Sequence, residues 1–194
     1  MSHTKRQYNI NNYGFAEMVR SLFDVDNLES LHELDLSLTN AILLDQASEA
    51  ETFFHQKFYE RLNQDWTEIK RAFESFVKNE VSPLFNQDFL FQKFPSFRVQ
   101  VPNQTAVSKW HYDSDLDHGH PDWEMNVGEF AIFNGNKCRH GNKPNRTEQT
   151  RVSLDFRVLP IDRYDENTEK TSYYGNKFVD GSYYKRFRRG SGVV

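Results

Sequence analysis

Apolar residues recur at intervals of three and four along the first half of the chain, and at intervals of two along much of the second. That switch predicts helices first and strands afterwards. Residues 1–14 are polar and read as a lead-in. Residues 15–23 form a short apolar-periodic segment predicted to be a helix, and residues 28–44 are predicted to be at least partly helical. The clearest helix starts near Ser48. Ser48 and Glu51 there match a capping box, in which each side chain satisfies a free amide at the helix start. Behind them Phe54, Phe58, Leu62, Trp66, Ile69, Phe73 and Phe76 share one face and predict one long helix packed into a core. Pro83 ends it, because proline lacks an amide donor and clashes with the preceding turn.

From residue 89 the texture is that of half-buried strands. Residues 89–94 and 97–101 alternate, residues 105–113 can continue as strand, and 130–133 form a short apolar run closed by Asn134-Gly135. The best strand signal covers 151–158. Val152, Leu154, Phe156 and Val158 point one way there, and Arg151, Ser153, Asp155 and Arg157 the other. The predicted class is α+β within one domain over 1–194: a helical layer over 1–86 packed on an antiparallel β core over 87–160. Residues 161–194 form a Tyr-rich extension ending in Lys185-Arg-Phe-Arg-Arg-Gly190. They read as a solvated tail, with contact to an acidic partner or a lid over a site as the other roles.

Composition narrows the function classes. Only 37% of the 194 residues are hydrophobic, but 17 Phe, 9 Tyr and 3 Trp fill core volume with few side chains. A net charge of -4 gives no reason to expect nucleic-acid binding. No window is long and apolar enough for a membrane span, and no apolar run follows the basic residues at the start. The one cysteine, Cys138, excludes an internal disulfide and suits a reducing compartment. A cytoplasmic protein is the expectation.

The candidate chemistry lies in a split constellation: His111-Tyr-Asp113, then His140, then Arg151-Val-Ser153. With seven histidines, a His-x-Asp match is common by chance, and a second copy stands at His120-Pro-Asp122. Geometry favours the first copy. Two residues apart on a predicted strand, His111 and Asp113 project to one side, as two ligands of one ion must, whereas Pro121 spoils the second copy as strand. Two imidazoles and a carboxylate form the ligand set that holds non-haem Fe(II) on one face. Arg151 and Ser153 share a strand face, where a guanidinium can take a carboxylate through two parallel hydrogen bonds and a hydroxyl can donate a third.

In order and spacing this pattern resembles the 2-oxoglutarate- and iron(II)-dependent oxygenase superfamily, which includes the phytanoyl-CoA and prolyl hydroxylase-like enzymes. Gly128-Glu129 before the strand is also similar. Within the superfamily, Cys138-Arg-His-Gly-Asn142 and the strand from Arg151 to Arg157 look most like the streptomycin-biosynthesis-type branch. The resemblance implies a double-stranded β-helix (jelly-roll, cupin-like) core flanked by N-terminal helices. It also implies Fe(II) on His111, Asp113 and His140, and 2-oxoglutarate on Arg151 and Ser153. The implied reaction is hydroxylation of a small molecule.

Other readings use the same residues. His111, Asp113 and His140 could hold zinc for hydrolysis, which leaves Arg151 and Ser153 without a role. Asp113, Asp115, Asp117 and Glu124 match the spacing of a calcium loop, but His118 stands where glycine is needed. A non-catalytic jelly-roll binding protein that keeps remnants of the triad is the alternative from a different class. Only 26 residues separate Asp113 from His140. The four strands that lie between these ligands in the superfamily need roughly 35–45 residues. The core is therefore expected to lack one or two strands, leaving one wall open to water and turnover reduced or lost.

Overall fold

Helix α1, Phe15–Phe23, forms where the apolar period places it and buries Val19 and Phe23. The structure is a computed structural model that describes residues 4–39, 49–104, 125–135, 137–138, 140–141, 143–172 and 174–194. Single 3-10 turns at Leu31–Leu34 and Leu36–Leu38 follow α1. The long helix expected from Ser48 to Pro83 is instead interrupted, first at Glu51–Thr52, after the helical Glu49 and Ala50, and again at Asp65. Helix α2 runs Phe53–Asn63 and helix α3 runs Thr67–Phe76. Between them Asp65 takes a left-handed conformation, φ 68°, which aspartate tolerates better than most residues. The apolar spacing of Leu62, Trp66 and Ile69 runs on across the break, so periodicity cannot register it. Thr52 caps α2, its side chain accepting from the His55 amide, and Ser48 lies outside the described residues. Past α3 the chain continues as a π turn, Val77–Val81, and a 3-10 turn that contains Pro83.

The strands are all antiparallel where their register is defined, which gives a mixed helix-and-sheet architecture. They are β1 Thr4–Gln7, β2 Phe89–Gln92, β3 Ser96–Gln100, β4 Glu129–Ile132, β5 Arg151–Asp155, β6 Val158–Pro160, β7 Tyr184–Arg188 and β8 Gly192–Val193. Among the described residues they make two two-stranded sheets, β1-β4 and β3-β5, and a four-stranded sheet in the order β6-β2-β7-β8. The chain divides into two compact units, 1–65 with 98–153 and 66–97 with 154–194. The boundaries fall between Asp65 and Trp66, inside β3 and inside β5.

The first unit buries Phe54, Phe58 and Leu62 from α2, Val19 and Phe23 from α1, and Leu31. Its β1 lies in the stretch expected to be a polar lead-in. Thr4 pairs with Ile132 and Gln7 with Glu129, and Lys5 makes an ion pair with Glu129 at 2.8 Å. Backbone pairing to a neighbour, rather than apolar pattern, makes this strand, so hydropathy gives no warning of it. First the backbone amide of Asn126 and then Lys5 hold the Glu129 carboxyl below its usual range.

Gly128 turns the chain into β4 at φ 82°, and its carbonyl accepts from the Tyr8 amide at 2.8 Å. A Cβ there would lie 3.0 Å from Ile10 Cγ2 and 3.2 Å from the Tyr8 carbonyl oxygen. Gly128→Ala is therefore expected to destabilise the protein by about 1–3 kcal/mol, combining left-handed strain with the clash. Urea unfolding would read this as a lower midpoint at unchanged slope. An unaltered midpoint would show that this turn is not under the stated constraint.

The second unit is a sheet covered by α3. Phe73 meets Phe91 edge-on at 6.0 Å and Phe156 at 4.9 Å, and Phe89 stacks on Phe187 across the β2–β7 pair at 4.9 Å. The closing segment, expected as a solvated tail, supplies β7 and β8. Tyr184 and Phe187 are buried there, while Lys185 pairs with Glu74 and Arg186 with Asp180. Neutralised charges on a strand with two anchoring rings read as polar in sequence and as sheet in space. The strand predicted over 151–158 is likewise two strands. β5 ends at Asp155, and β6 pairs with β2 through Leu159 opposite Leu90.

Candidate functional site

His140 lies in the first unit, after a tight turn in which Lys137 and Cys138 both donate to the Asn134 carbonyl at 2.8 Å. Cys138 is fully buried, and that burial pushes its thiol pKa up, so it serves as a neutral anchor. The Cys138 carbonyl oxygen stands 3.0 Å from His140 Nδ1, and the Phe133 ring lies 5.1 Å from the imidazole. A carbonyl only accepts, so Nδ1 carries the proton in this bond and the lone pair of the neutral ring sits on Nε2. This is the tautomer and support that a metal-ligating histidine needs.

Arg151 and Ser153 lie on β5 with one residue between them, so they share a strand face. Ser153 is half-buried and Arg151 is exposed as a residue. Even so, crowding around the guanidinium desolvates it and pulls its pKa below the ordinary arginine value. No described carboxylate pairs with it, although a desolvated cation ordinarily finds one. Accessible to solvent and crowded by protein, the guanidinium can receive an anion.

Of the five residues expected at the site, the structure thus describes His140, Arg151 and Ser153. His111 and Asp113 lie outside the described residues, as do the calcium-loop residues Asp115, Asp117 and Glu124 and the second His-x-Asp copy. Among the described residues no three metal-ligating side chains stand close enough to share an ion.

Two polar clusters in the same unit carry no sequence motif. Glu49 is buried, with Oε1 3.1 Å from His55 Nε2 and Oε2 bonded to Arg98 on β3, while His55 Nδ1 faces Thr52 Oγ1 at 2.7 Å. One signal could have found it: His55 falls on the apolar face with Phe58 and Leu62. The second cluster holds the start of β5. Buried Asn145 donates to the carbonyls of Gln100 at 3.0 Å and Gln149 at 2.8 Å, and accepts from Thr147. Buried Thr150 donates its amide to the Glu29 carbonyl at 2.7 Å and accepts the His32 amide on Oγ1 at 3.1 Å.

The chain is 28% identical over 206 aligned residues to the streptomycin biosynthesis protein StrG of Streptomyces griseus, spanning 94% of this chain and 97% of that protein. The likeness therefore runs through the helices and the C-terminal strands as well as the motif region. No family model and no solved structure matches the chain. Among the described residues no helix is long and apolar enough to cross a membrane.

Proposed function

We propose that this protein is an iron(II)- and 2-oxoglutarate-dependent oxygenase that hydroxylates a small metabolite. The observation that carries the reading is geometric: Arg151, with no carboxylate partner among the described residues, shares a face of β5 with Ser153. The ordered motif from His111 to Ser153 and the likeness to a biosynthetic protein support it. In this reading the strands around the site belong to a double-stranded β-helix core short of one or two strands.

The described part of the donor set fits the metal. His140 would hold iron through Nε2, with His111 and Asp113 as the other ligands, and Nδ1–H stays committed to the Cys138 carbonyl. When bound with 2-oxoglutarate and oxygen, the iron supplies the oxidation of an unactivated C–H bond, with succinate and carbon dioxide released. Arg151 binds the far carboxylate of the cosubstrate through two parallel N–H donors, and the Ser153 hydroxyl donates a third bond. Together they fix the cosubstrate's orientation before any reaction, which removes an entropic cost from the chemical step.

Succinate release from 2-oxoglutarate, with and without a metabolite extract, tests the proposal. Wild-type protein is expected to form succinate at a rate that the extract raises, and His140→Ala to fall to background. Equal release by the two proteins would defeat the proposal.

A further inference from the structure

The backbone immediately before Arg151 is held from both sides. The Gln149 carbonyl accepts from Asn145 Nδ2 at 2.8 Å. At the next residue, the Thr150 amide donates to the Glu29 carbonyl at 2.7 Å, and Thr150 Oγ1 accepts from the His32 amide at 3.1 Å and faces His32 Nδ1 at 2.8 Å. Thr150 is 6% exposed, and Leu31, between the two gripping residues, is fully buried. The gripping segment lies 118 residues away in sequence from the threonine it holds. A buried hydroxyl with this many partners specifies a single backbone position.

Three consecutive positions run from a fully bonded amide carbonyl, through a fully bonded threonine, to a guanidinium with no described carboxylate against it. Strand formation alone requires no such clamp, since β5 already pairs with β3. A cation that must grip an anion at a fixed point does gain from one. An angular error at the Cα is magnified over the long arginine side chain, and two parallel hydrogen bonds tolerate little of it.

We infer that Thr150, gripped by residues Glu29 to His32, is a positioning residue that aims Arg151 at the far carboxylate of the bound 2-oxo acid, and so sets selectivity for a dicarboxylate. The inference rests on the cosubstrate role proposed above. It differs from that role in placing part of the specificity in the N-terminal third of the chain, outside every motif. Thr150→Val keeps the branched shape and removes the hydroxyl, and Thr150→Ser keeps the hydroxyl.

The readout is a ratio of affinities. Protein supplied with Fe(II) under argon is titrated with 2-oxoglutarate and with 2-oxobutanoate, which has the same chelating end and no far carboxylate. Wild type is expected to prefer 2-oxoglutarate. Thr150→Val should lower that preference about tenfold, the effect of one misdirected charge-assisted bond, by weakening 2-oxoglutarate while leaving 2-oxobutanoate alone. Thr150→Ser should restore it. Equal weakening of both acids in Thr150→Val would mark a merely structural role and overturn the inference, as would an unchanged ratio. Absence of any preference in wild type would instead sink the cosubstrate role of Arg151 itself.

Discussion

Arg151→Ala is expected to weaken 2-oxoglutarate binding about a hundredfold, because a charge-assisted, bidentate contact contributes about 3 kcal/mol. The same substitution should leave Fe(II) binding unchanged, since the guanidinium is no ligand. Folding should be unaffected, because Arg151 is an exposed residue. Arg151→Lys should recover the charge but not the fork, and land between the two. Calorimetric titration with 2-oxoglutarate in the presence of the metal reads all three. Equal affinity in wild type and Arg151→Ala would leave the guanidinium without the assigned role.

The second large effect concerns stability rather than chemistry. Glu49→Ala is expected to destabilise the protein by about 2–4 kcal/mol. The carboxylate is buried, and His55 and Arg98 both converge on it. Removing it takes away the acceptor for a cation and for a ring nitrogen at once. The value sits below the usual range for a fully buried pair because Arg98 keeps 26% of its side chain in solvent. Glu49→Gln should cost less, retaining an acceptor without the charge. Glu49→Ala combined with Arg98→Met should cost less than the sum of the two single changes, since each removes the other's partner. Denaturant midpoints measure this, and strict additivity would show that the two side chains are not coupled.

These two residues differ in how far the sequence exposes them. Arg151 stands out because Ser153 follows at strand spacing and His140 precedes, so a pattern of chemistry-bearing types can be read directly. Glu49 belongs to a cluster drawn from a helix start and from β3, and no local period connects 49, 55 and 98. Only His55 on an otherwise apolar face hints at a buried partner. Helix α1 was legible to the residue, because its apolar spacing and its ends coincide.

The break between α2 and α3 was not legible. Leu62, Trp66 and Ile69 keep helical spacing through a left-handed Asp65, and a period sees spacing, not dihedrals. The same reason hides the change of sheet after Asp155, where the alternation of Leu154, Phe156 and Val158 continues while the pairing partner changes from β3 to β2. β1 and β7 are polar strands held by pairing and by ion pairs, which hydropathy scores as loop. His140's support by the Cys138 carbonyl is a backbone contact, invisible to any reading of side-chain types.

The decisive measurement is anaerobic addition of Fe(II) to the purified wild-type chain, followed by 2-oxoglutarate, with the visible spectrum recorded at each stage. A weak metal-to-ligand absorption that needs both additions, saturates at one iron per chain and disappears in His140→Ala is the predicted result. Stoichiometric Fe(II) and excess 2-oxoglutarate that together produce no such absorption in wild type would contradict the assignment of His111, Asp113 and His140 to one iron beside Arg151.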